Sequence, residues 1–361
     1  MISIPLTNPS SENKFLDKEI KLALGNVLKS GNYILSEECN LFEEEFARYL
    51  NINYAVGCNS GTDALFIALK SLDLKENDEV IIPSHSAVAT CAAVKMSGAK
   101  VIFADIEKDF HTIDPKSVEE KISAKTRAVI AVHIFGQACD MVALKKICKK
   151  NGLVLIEDCA QSVGSEYKSQ KLGTIGDIGC FSFFPTKNLG ATGDAGCVVT
   201  QNRKLFNFFK KFRQYGWNKD RISSYPGINS RIDEMHAAIL RIKLNKLDLF
   251  NEMRNEIAKR YFQGINNTDL KLPKVREHTL HSFHLFVVQS NKRNKLINYL
   301  AKNGISAGLH YKKPIHRTGG YEENAELPVT DGLYSSNVSI PMFPFLKKRE
   351  QIKIIKCLNE Y

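Results

Sequence analysis

Val154-Leu155-Ile156-Glu157-Asp158-Cys159-Ala160-Gln161 decides the fold. Three apolar residues run without polar alternation and then stop at two adjacent acids. That is the pattern of a strand buried on both faces whose carboxyl end opens onto something polar. Strand alternation sends Glu157 and Asp158 to opposite faces, so only one of them meets that opening. Upstream lie three more runs of the same kind: Val80-Ile81-Ile82, Val101-Ile102-Phe103-Ala104 and Ala128-Val129-Ile130-Ala131-Val132. Helical patterns separate them at 63–71, 87–97, 115–122 and 141–150. Strand–helix–strand alternation predicts an α/β fold with a mainly parallel sheet and helices on both faces. Ligands in such sheets gather beyond the carboxyl ends of the strands.

After Gly193 the pattern changes. Phe181-Ser182-Phe183-Phe184 and Gly196-Cys197-Val198-Val199-Thr200 flank a glycine-rich loop, which predicts two strands facing one site. A helical stretch over 233–265 is too long for an ordinary helix and is expected to bend or break. Beyond it the chain reads as a smaller α+β unit, with a strand at 284–288, a helix at 292–303, a strand at 306–311 and a last helix from about Lys347. A chain of 361 residues suits two cores better than one. We expect a large ligand-binding domain over 1–245 and a small C-terminal domain over 246–361.

Composition narrows the class. Hydrophobic residues make up 43% and charged residues 25%, the balance of a globular protein. No window holds 18 uninterrupted apolar residues, and Met1-Ile2-Ser3-Ile4-Pro5-Leu6 lacks a basic-then-apolar leader, so no membrane partner is expected. The nine cysteines are dispersed with no CxxC pair, a poor disulfide framework and a poor metal site. Cys159, Cys180 and Cys197 lie in apolar runs and read as small buried residues of a reducing, cytoplasmic compartment. The net charge of +11 comes from lysines scattered over helical stretches such as Lys145-Lys146 and Lys347-Lys348. Scattered charge serves solubility and attracts acidic small molecules; a nucleic-acid partner would call for a concentrated patch.

Three segments carry chemistry. In Cys58-Asn59-Ser60-Gly61-Thr62-Asp63-Ala64-Leu65, a small flexible Ser-Gly-Thr opens a helix that Ser60 or Thr62 can cap. Free amides at such a start bind phosphate, although every helix needs a start. The segment quoted first brings a carboxylate to a strand's carboxyl end, which also suits a metal or a helix cap. In Gly179-Cys180-Phe181-Ser182-Phe183-Phe184-Pro185-Thr186-Lys187-Asn188-Leu189-Gly190, an apolar strand delivers Ser182 and then a single lysine into the glycine-rich loop. Most loop lysines are simply solvated. An amine held among apolar groups has a lowered pKa and becomes a nucleophile toward a carbonyl. A phosphate cradle, a carboxylate and such a lysine together describe a pyridoxal-phosphate site.

On those three segments the chain resembles the DegT/DnrJ/EryC1/StrS family of pyridoxal-phosphate sugar aminotransferases. The resemblance begins near Gly31-Asn32-Tyr33-Ile34-Leu35-Ser36 and extends to His310–His316 and Ile340-Pro341. It implies an aspartate-aminotransferase-like fold (fold type I), with pyridoxal 5'-phosphate as cofactor and its pyridoxamine form as the intermediate. Lys187 would form the Schiff base and Asp158 would pair with the ring nitrogen. Gln161 would lie near the ring hydroxyl, and Ser60, Gly61, Thr62 and Ser182 would hold the phosphate. Asn229, in Gly227-Ile228-Asn229-Ser230-Arg231, would reach the phosphate of a neighbouring subunit, which implies a homodimer with shared sites. One departure stands out in Pro83-Ser84-His85-Ser86-Ala87-Val88-Ala89-Thr90. Many family members place a ring-stacking aromatic where Ala87 stands. His85 is the planar group left to take over, its alternative being a hydrogen-bonded histidine beside the site.

The resemblance also bears on substrate. Phe212-Arg213-Gln214-Tyr215-Gly216-Trp217 looks like the corresponding stretch of sugar 3-aminotransferases. His310, Tyr311 and His316 resemble the family's substrate-side segment. Tyr215, Trp217, His310, Tyr311 and His316 are therefore the expected substrate residues, with Arg213 or Lys219 available to the diphosphate. The expected reaction takes an amine from glutamate and gives a dTDP-3-amino-3,6-dideoxyhexose for surface polysaccharide (lipopolysaccharide O-antigen) synthesis. A 4-aminotransferase on a UDP- or dTDP-4-keto sugar is the near alternative, and a non-catalytic pyridoxal-phosphate-binding regulator the distant one.

Overall fold

The computed structural model describes residues 4–361. Helices α1 (Pro9–Phe15), α2 (Asp17–Ser30) and α3 (Glu37–Leu50) precede the first strand. Then β1 (Tyr54–Cys58), α4 (Gly61–Lys70), β2 (Glu79–Pro83), α5 (Val88–Ser97), β3 (Lys100–Ala104), α6 (Pro115–Lys121), β4 (Thr126–Val132), α7 (Met141–Asn151) and β5 (Val154–Asp158) alternate. Two-residue strands β6 (Glu166–Tyr167) and β7 (Gln170–Lys171) lead into β8 (Ile178–Ser182), β9 (Gly196–Thr200), α8 (Arg203–Phe212), α9 (Glu234–Leu244) and α10 (Leu247–Gly264). The remainder comprises β10 (Leu270–Lys271), β11 (Thr279–Leu280), β12 (Phe286–Ser290), α11 (Arg293–Lys302), α12 (Pro328–Tyr334), β13 (Asn337–Ile340) and α13 (Lys348–Asn359).

Seven strands form the central sheet in the order β1-β9-β8-β5-β4-β2-β3. Every pairing is parallel except those of β9, which runs against both β1 and β8. The expected parallel sheet is therefore observed with one reversed strand. Alternation splits its side chains between two cores. Ile81, Val129, Leu155 and Phe181 join one core; Val80, Ile82, Ile130 and Ile156 join the other. The unbroken apolar runs in the sequence thus reflect burial on both faces. Helices begin and end on local signals: Asp140 Oδ1 accepts from Ala143 N–H to cap α7, and α5 stops at Gly98, whose φ of 92° is left-handed.

The long helical stretch breaks at Asn245–Lys246 into α9 and α10. Just before the break, buried Lys243 donates from Nζ to Gly190 O at 2.8 Å and lies 3.9 Å from buried Glu12. Beyond it, β10-β12-β13 form an antiparallel sheet over a third core that includes Tyr261, Phe286, Val288, Ile340 and Leu358. The strand expected at 306–311 is not regular. Only Gly308 pairs with Ser339, and Ile305 bridges Ile4. Side chains take the place of a ladder there: Asn337 Nδ2 donates to His310 O at 3.0 Å, and Ser339 Oγ lies 2.8 Å from His310 Nδ1.

At the end of β5 the two acids part as alternation requires. Glu157 turns into the protein and accepts from the N–H groups of Gly173 (2.8 Å), Ile175 (2.7 Å) and Gly176 (2.7 Å), with His133 Nε2 at 3.0 Å. Burial pushes its carboxyl up, but His133 and the backbone N–H groups outweigh burial and hold it below its ordinary value. Glu157→Gln turns one acceptor oxygen into a donor that faces N–H groups. The variant should lose about 3 kcal/mol of stability, read as a lower urea midpoint; an unchanged midpoint contradicts this account of Glu157.

Candidate active site

The carboxyl ends of β1, β2, β4, β5 and β8 converge with the start of β9. Asp158 stands at the centre of this edge, 4% exposed. Its Oδ2 accepts from Thr90 Oγ1 at 2.8 Å and its Oδ1 from Ala160 N–H at 3.1 Å. Burial raises its pKa; Thr90, the Ala160 N–H and the Lys187 ammonium act against that rise.

Lys187 follows β8 on a loop that folds back on itself. Its N–H donates to Phe184 O (2.8 Å), Phe183 N–H to Ala195 O (2.7 Å), and Ala191 N–H to Phe183 O (2.7 Å). The next residue, Asn188, is clamped. Its Nδ2 donates to Asn251 Oδ1 (2.7 Å) and Ser282 O (2.9 Å), and its Oδ1 lies 3.1 Å from His284 Nδ1. The helix after the break and the 281–284 segment thereby hold the lysine loop in place. Lys187 is half-buried. Burial lowers its amine to about 8, against the pull of Asp158.

Beside this pair lies a cradle. Ser60 caps α4 by accepting Asp63 N–H on Oγ at 3.1 Å, which settles the choice between Ser60 and Thr62. A Cβ on Gly61 would stand 2.6 Å from Ser182 Cβ, and one on Gly196 would collide with Ser60 O. Glycine at both positions brings β8, β9 and the start of α4 together with half-buried Ser182 and Thr62. Ser230 secures the α4 start by donating to Asp63 Oδ2 (2.6 Å) and accepting from Asn59 N–H (3.0 Å).

A wall closes the other side. Gln161 Oε1 accepts from Phe135 N–H (2.7 Å), and its Nε2 donates to Tyr311 Oη (2.9 Å). His310 and His284 are both held neutral, chiefly by burial and then by the Lys187 charge; His310 falls to about 4. His85 is fully buried, with rings of Phe135 and Tyr334 set edge-on to it at 5.4 and 5.2 Å. Its Nδ1 lies 3.1 Å from Tyr334 Oη, while its buried Nε2 has no partner among the described residues.

Other expected residues lie elsewhere. His316 is fully buried, with Nδ1 2.7 Å from Ser84 Oγ and Nε2 3.3 Å from Asp331 Oδ1. It pins its segment to the end of β2 and offers no free face to a substrate. Arg213 is not free for a diphosphate: it is buried, paired with Glu43 and bonded to Gly57 O. Tyr215 and Trp217 pack on each other at 5.0 Å in the 213–230 loop, and Asn229 and Lys219 are exposed on the same loop. Thr90, Asn188, His284 and Tyr334 carry no local signal of a role, whereas Gly196 belongs to the glycine-rich stretch singled out in the sequence.

The residues fit pyridoxal phosphate. An amine of lowered pKa faces a buried carboxylate, two glycines leave a cradle that a Cβ would fill, and a buried ring nitrogen stands unpartnered nearby. His133, Glu157 and Cys159 could in principle offer ligand atoms to a metal, within 4.8 Å of one another, yet both Glu157 oxygens are already taken by N–H groups.

The shift of Lys187 has a signed consequence. Its folded value, about 8, lies below the ordinary 10.5, so between those values the unfolded chain binds more protons. Stability of the ligand-free protein should rise with pH across that window, and the cost of the buried charge is constant below it. Lys187→Met should therefore be more stable than wild type at pH 7, with the gap narrowing towards pH 10. Urea titrations at several pH values check this, and a gap independent of pH contradicts the shift.

Residues 14–359 match the DegT/DnrJ/EryC1/StrS aminotransferase family. The chain is 38% identical over 360 residues, 99% of each chain, to a dTDP-3-amino-3,6-dideoxy-alpha-D-galactopyranose transaminase of Aneurinibacillus thermoaerophilus. It is 36% identical, over 99% of this chain and 97% of the relative, to a UDP-N-acetyl-3-dehydro-alpha-D-glucosamine 3-aminotransferase of Acidithiobacillus ferrooxidans. The crystal structure of DesV from S. venezuelae, in complex with a ketimine intermediate, superposes with a TM-score of 0.97 at 36% identity, covering 99% of this chain and 98% of that one. With its lysine, carboxylate and cradle in place, the chain belongs to the DegT/DnrJ/EryC1/StrS aminotransferase family.

Proposed function

We propose that this aminotransferase moves an amino group from glutamate to a dTDP-3-keto-6-deoxyhexose, giving the 3-amino-3,6-dideoxy sugar. The observation that carries the chemistry is the half-buried Lys187 amine, lowered to about 8, facing buried Asp158 at the sheet's carboxyl edge. The ring position is supported by the two relatives described above, both named for amination at carbon 3. Those relatives differ in nucleotide, so the dTDP assignment leans on the more similar of the two. An acidic sugar nucleotide also suits the net charge of +11.

Pyridoxal phosphate supplies an electrophilic carbon and an electron sink for the carbanion that forms beside the transferred nitrogen. The chain's own residues do the rest. Ser60, Gly61, Thr62 and Ser182 offer hydroxyls and helix-start amides to the phosphate. Asp158 presents its carboxylate to the ring nitrogen. Lys187, with a value near 8, is both a competent base and a competent acid close to neutral pH, so one side chain can take a proton from one carbon and deliver it to another. His284 and His310 line the lysine without adding charge. Gln161, bonded to Tyr311, would lie near the ring hydroxyl, and Tyr311 with His310 would meet the incoming sugar.

The active form is a homodimer in this reading, and the enzyme works in the cytoplasm. Asn229 is exposed on a loop that bridges to Gln214, as suits a residue serving a neighbour. Tyr33 and Ile34, exposed at 47% and 45%, lie beside that loop's base through the Ile34–Asp233 bridge and suit burial against a second copy. All nine cysteines are free and buried, as a reducing compartment allows, and no described helix is long and apolar enough to cross a membrane.

Two experiments test the proposal. Purified enzyme with glutamate and the 3-keto sugar nucleotide should give an amine that NMR places at carbon 3; an amine at carbon 4 selects the alternative substrate. Lys187→Ala should remove turnover and the visible absorbance of lysine-bound pyridoxal phosphate together, and retention of both would sink the assignment. Shared sites predict complementation. Asn229→Asp and Lys187→Ala should each be inactive alone, while an equal mixture re-equilibrated as dimers should recover about a quarter of wild-type activity. No recovery means that each site is built from one chain.

A further inference from the structure

Thr90 lies on the first turn of α5, buried between Asp158 and Ser86. Its hydroxyl has one proton. Ionised Asp158 can only accept, so the 2.8 Å contact to Oδ2 uses that proton. The 2.7 Å contact between Ser86 Oγ and Thr90 Oγ1 must then run from serine to threonine. The result is a directional chain, Ser86 to Thr90 to Asp158, in which all three side chains are at most 4% exposed.

The chain has a clear electrostatic sense. Burial favours the neutral form of Asp158, and Thr90 is the largest influence opposing it. The only other hydrogen bond to this carboxylate among the described residues comes from Ala160 N–H at 3.1 Å, a longer contact. The ring-nitrogen role of Asp158 needs it charged, since a neutral acid could not hold a pyridinium proton.

We infer that Thr90, oriented by Ser86, is a positioning residue that keeps Asp158 ionised and aimed, and so sets the pH range over which the cofactor's ring nitrogen stays protonated. This inference rests on the pyridoxal-phosphate reading of Asp158. Thr90 meets the carboxylate through its hydroxyl, and valine removes that donor at nearly constant shape. Serine restores the donor. Losing one hydrogen bond to a charged group is worth about a tenfold change in an equilibrium, which is about one pH unit.

The test uses holoenzyme loaded with pyridoxal phosphate carrying 15N in its ring, whose NMR shift reports ring-nitrogen protonation directly. Against wild type, Thr90→Val should lose the protonated signal about one pH unit lower, Thr90→Ser should match wild type, and Ser86→Ala should move in the same direction by less. Asp158→Asn marks the fully deprotonated limit. Thr90→Val titrating with wild type while Asp158→Asn loses the signal overturns the role of Thr90 and leaves Asp158 standing. Wild type and Asp158→Asn giving the same signal overturns the ring-nitrogen reading itself, and the inference falls with it. Should Thr90→Val fail to fold, Ser86→Ala decides: an unshifted titration there overturns the directional chain.

Discussion

Everything at this site depends on the parting of two carboxylates at the end of one strand. Glu157 and Asp158 are adjacent and equally withdrawn from water, yet the protein treats them in opposite ways. Glu157 is saturated by three backbone N–H groups and His133, which makes its charge part of the fold. Asp158 receives one hydroxyl and one N–H and keeps capacity in reserve. A buried carboxylate with unused acceptors is costly unless a ligand completes it. The first acid anchors the 173–176 turn that leads into β8, and β8 delivers Ser182 and the loop of Lys187. The structural acid thus helps to place the lysine that the functional acid faces.

The lysine loop needs a second support, because a glycine-rich segment has little order of its own. It is supplied from far along the chain. Asn188 is bound by Asn251 on α10 and by Ser282 and His284, while Gly190 is held by Lys243 on α9. The helix break at Asn245–Lys246 lets both helices reach the same loop from different directions. The loop is thus pinned on both sides of Lys187, whose amine burial lowers to about 8.

The sequence made the sheet legible because its strands are buried on both faces, and unbroken apolar runs are hard to read as anything else. The parting of Glu157 and Asp158 was equally legible, since it needs only the two-residue period of a strand. The reach of side chains across distance was not. His316 stood beside plausible sugar contacts and turned out to be a buried pin on Ser84; Arg213 stood beside aromatic residues and turned inward to Glu43. Thr90 carried no signal, since a threonine in a helix is ordinary until its hydroxyl is seen on Asp158. The strand expected at 306–311 failed for a related reason. Its alternation was adequate, but the Asn337 side chain takes the His310 carbonyl, and a single bridge from Gly308 to Ser339 remains.

These failures share a location, and the location explains them. The cofactor side of the site is made at strand ends and one helix start, where local sequence dictates geometry. The 310–334 segment and the 213–230 loop, expected on the sugar side, are shaped by contacts with distant parts. Asp105 accepts from Val329 and Thr330 N–H, Ser84 holds His316, and Tyr334 meets His85. Three tethers to the ends of β2 and β3 fix the base of that wall while its face towards the sugar stays free to differ. The two sides still meet, at the Gln161–Tyr311 hydrogen bond and where Ser230 secures the start of α4.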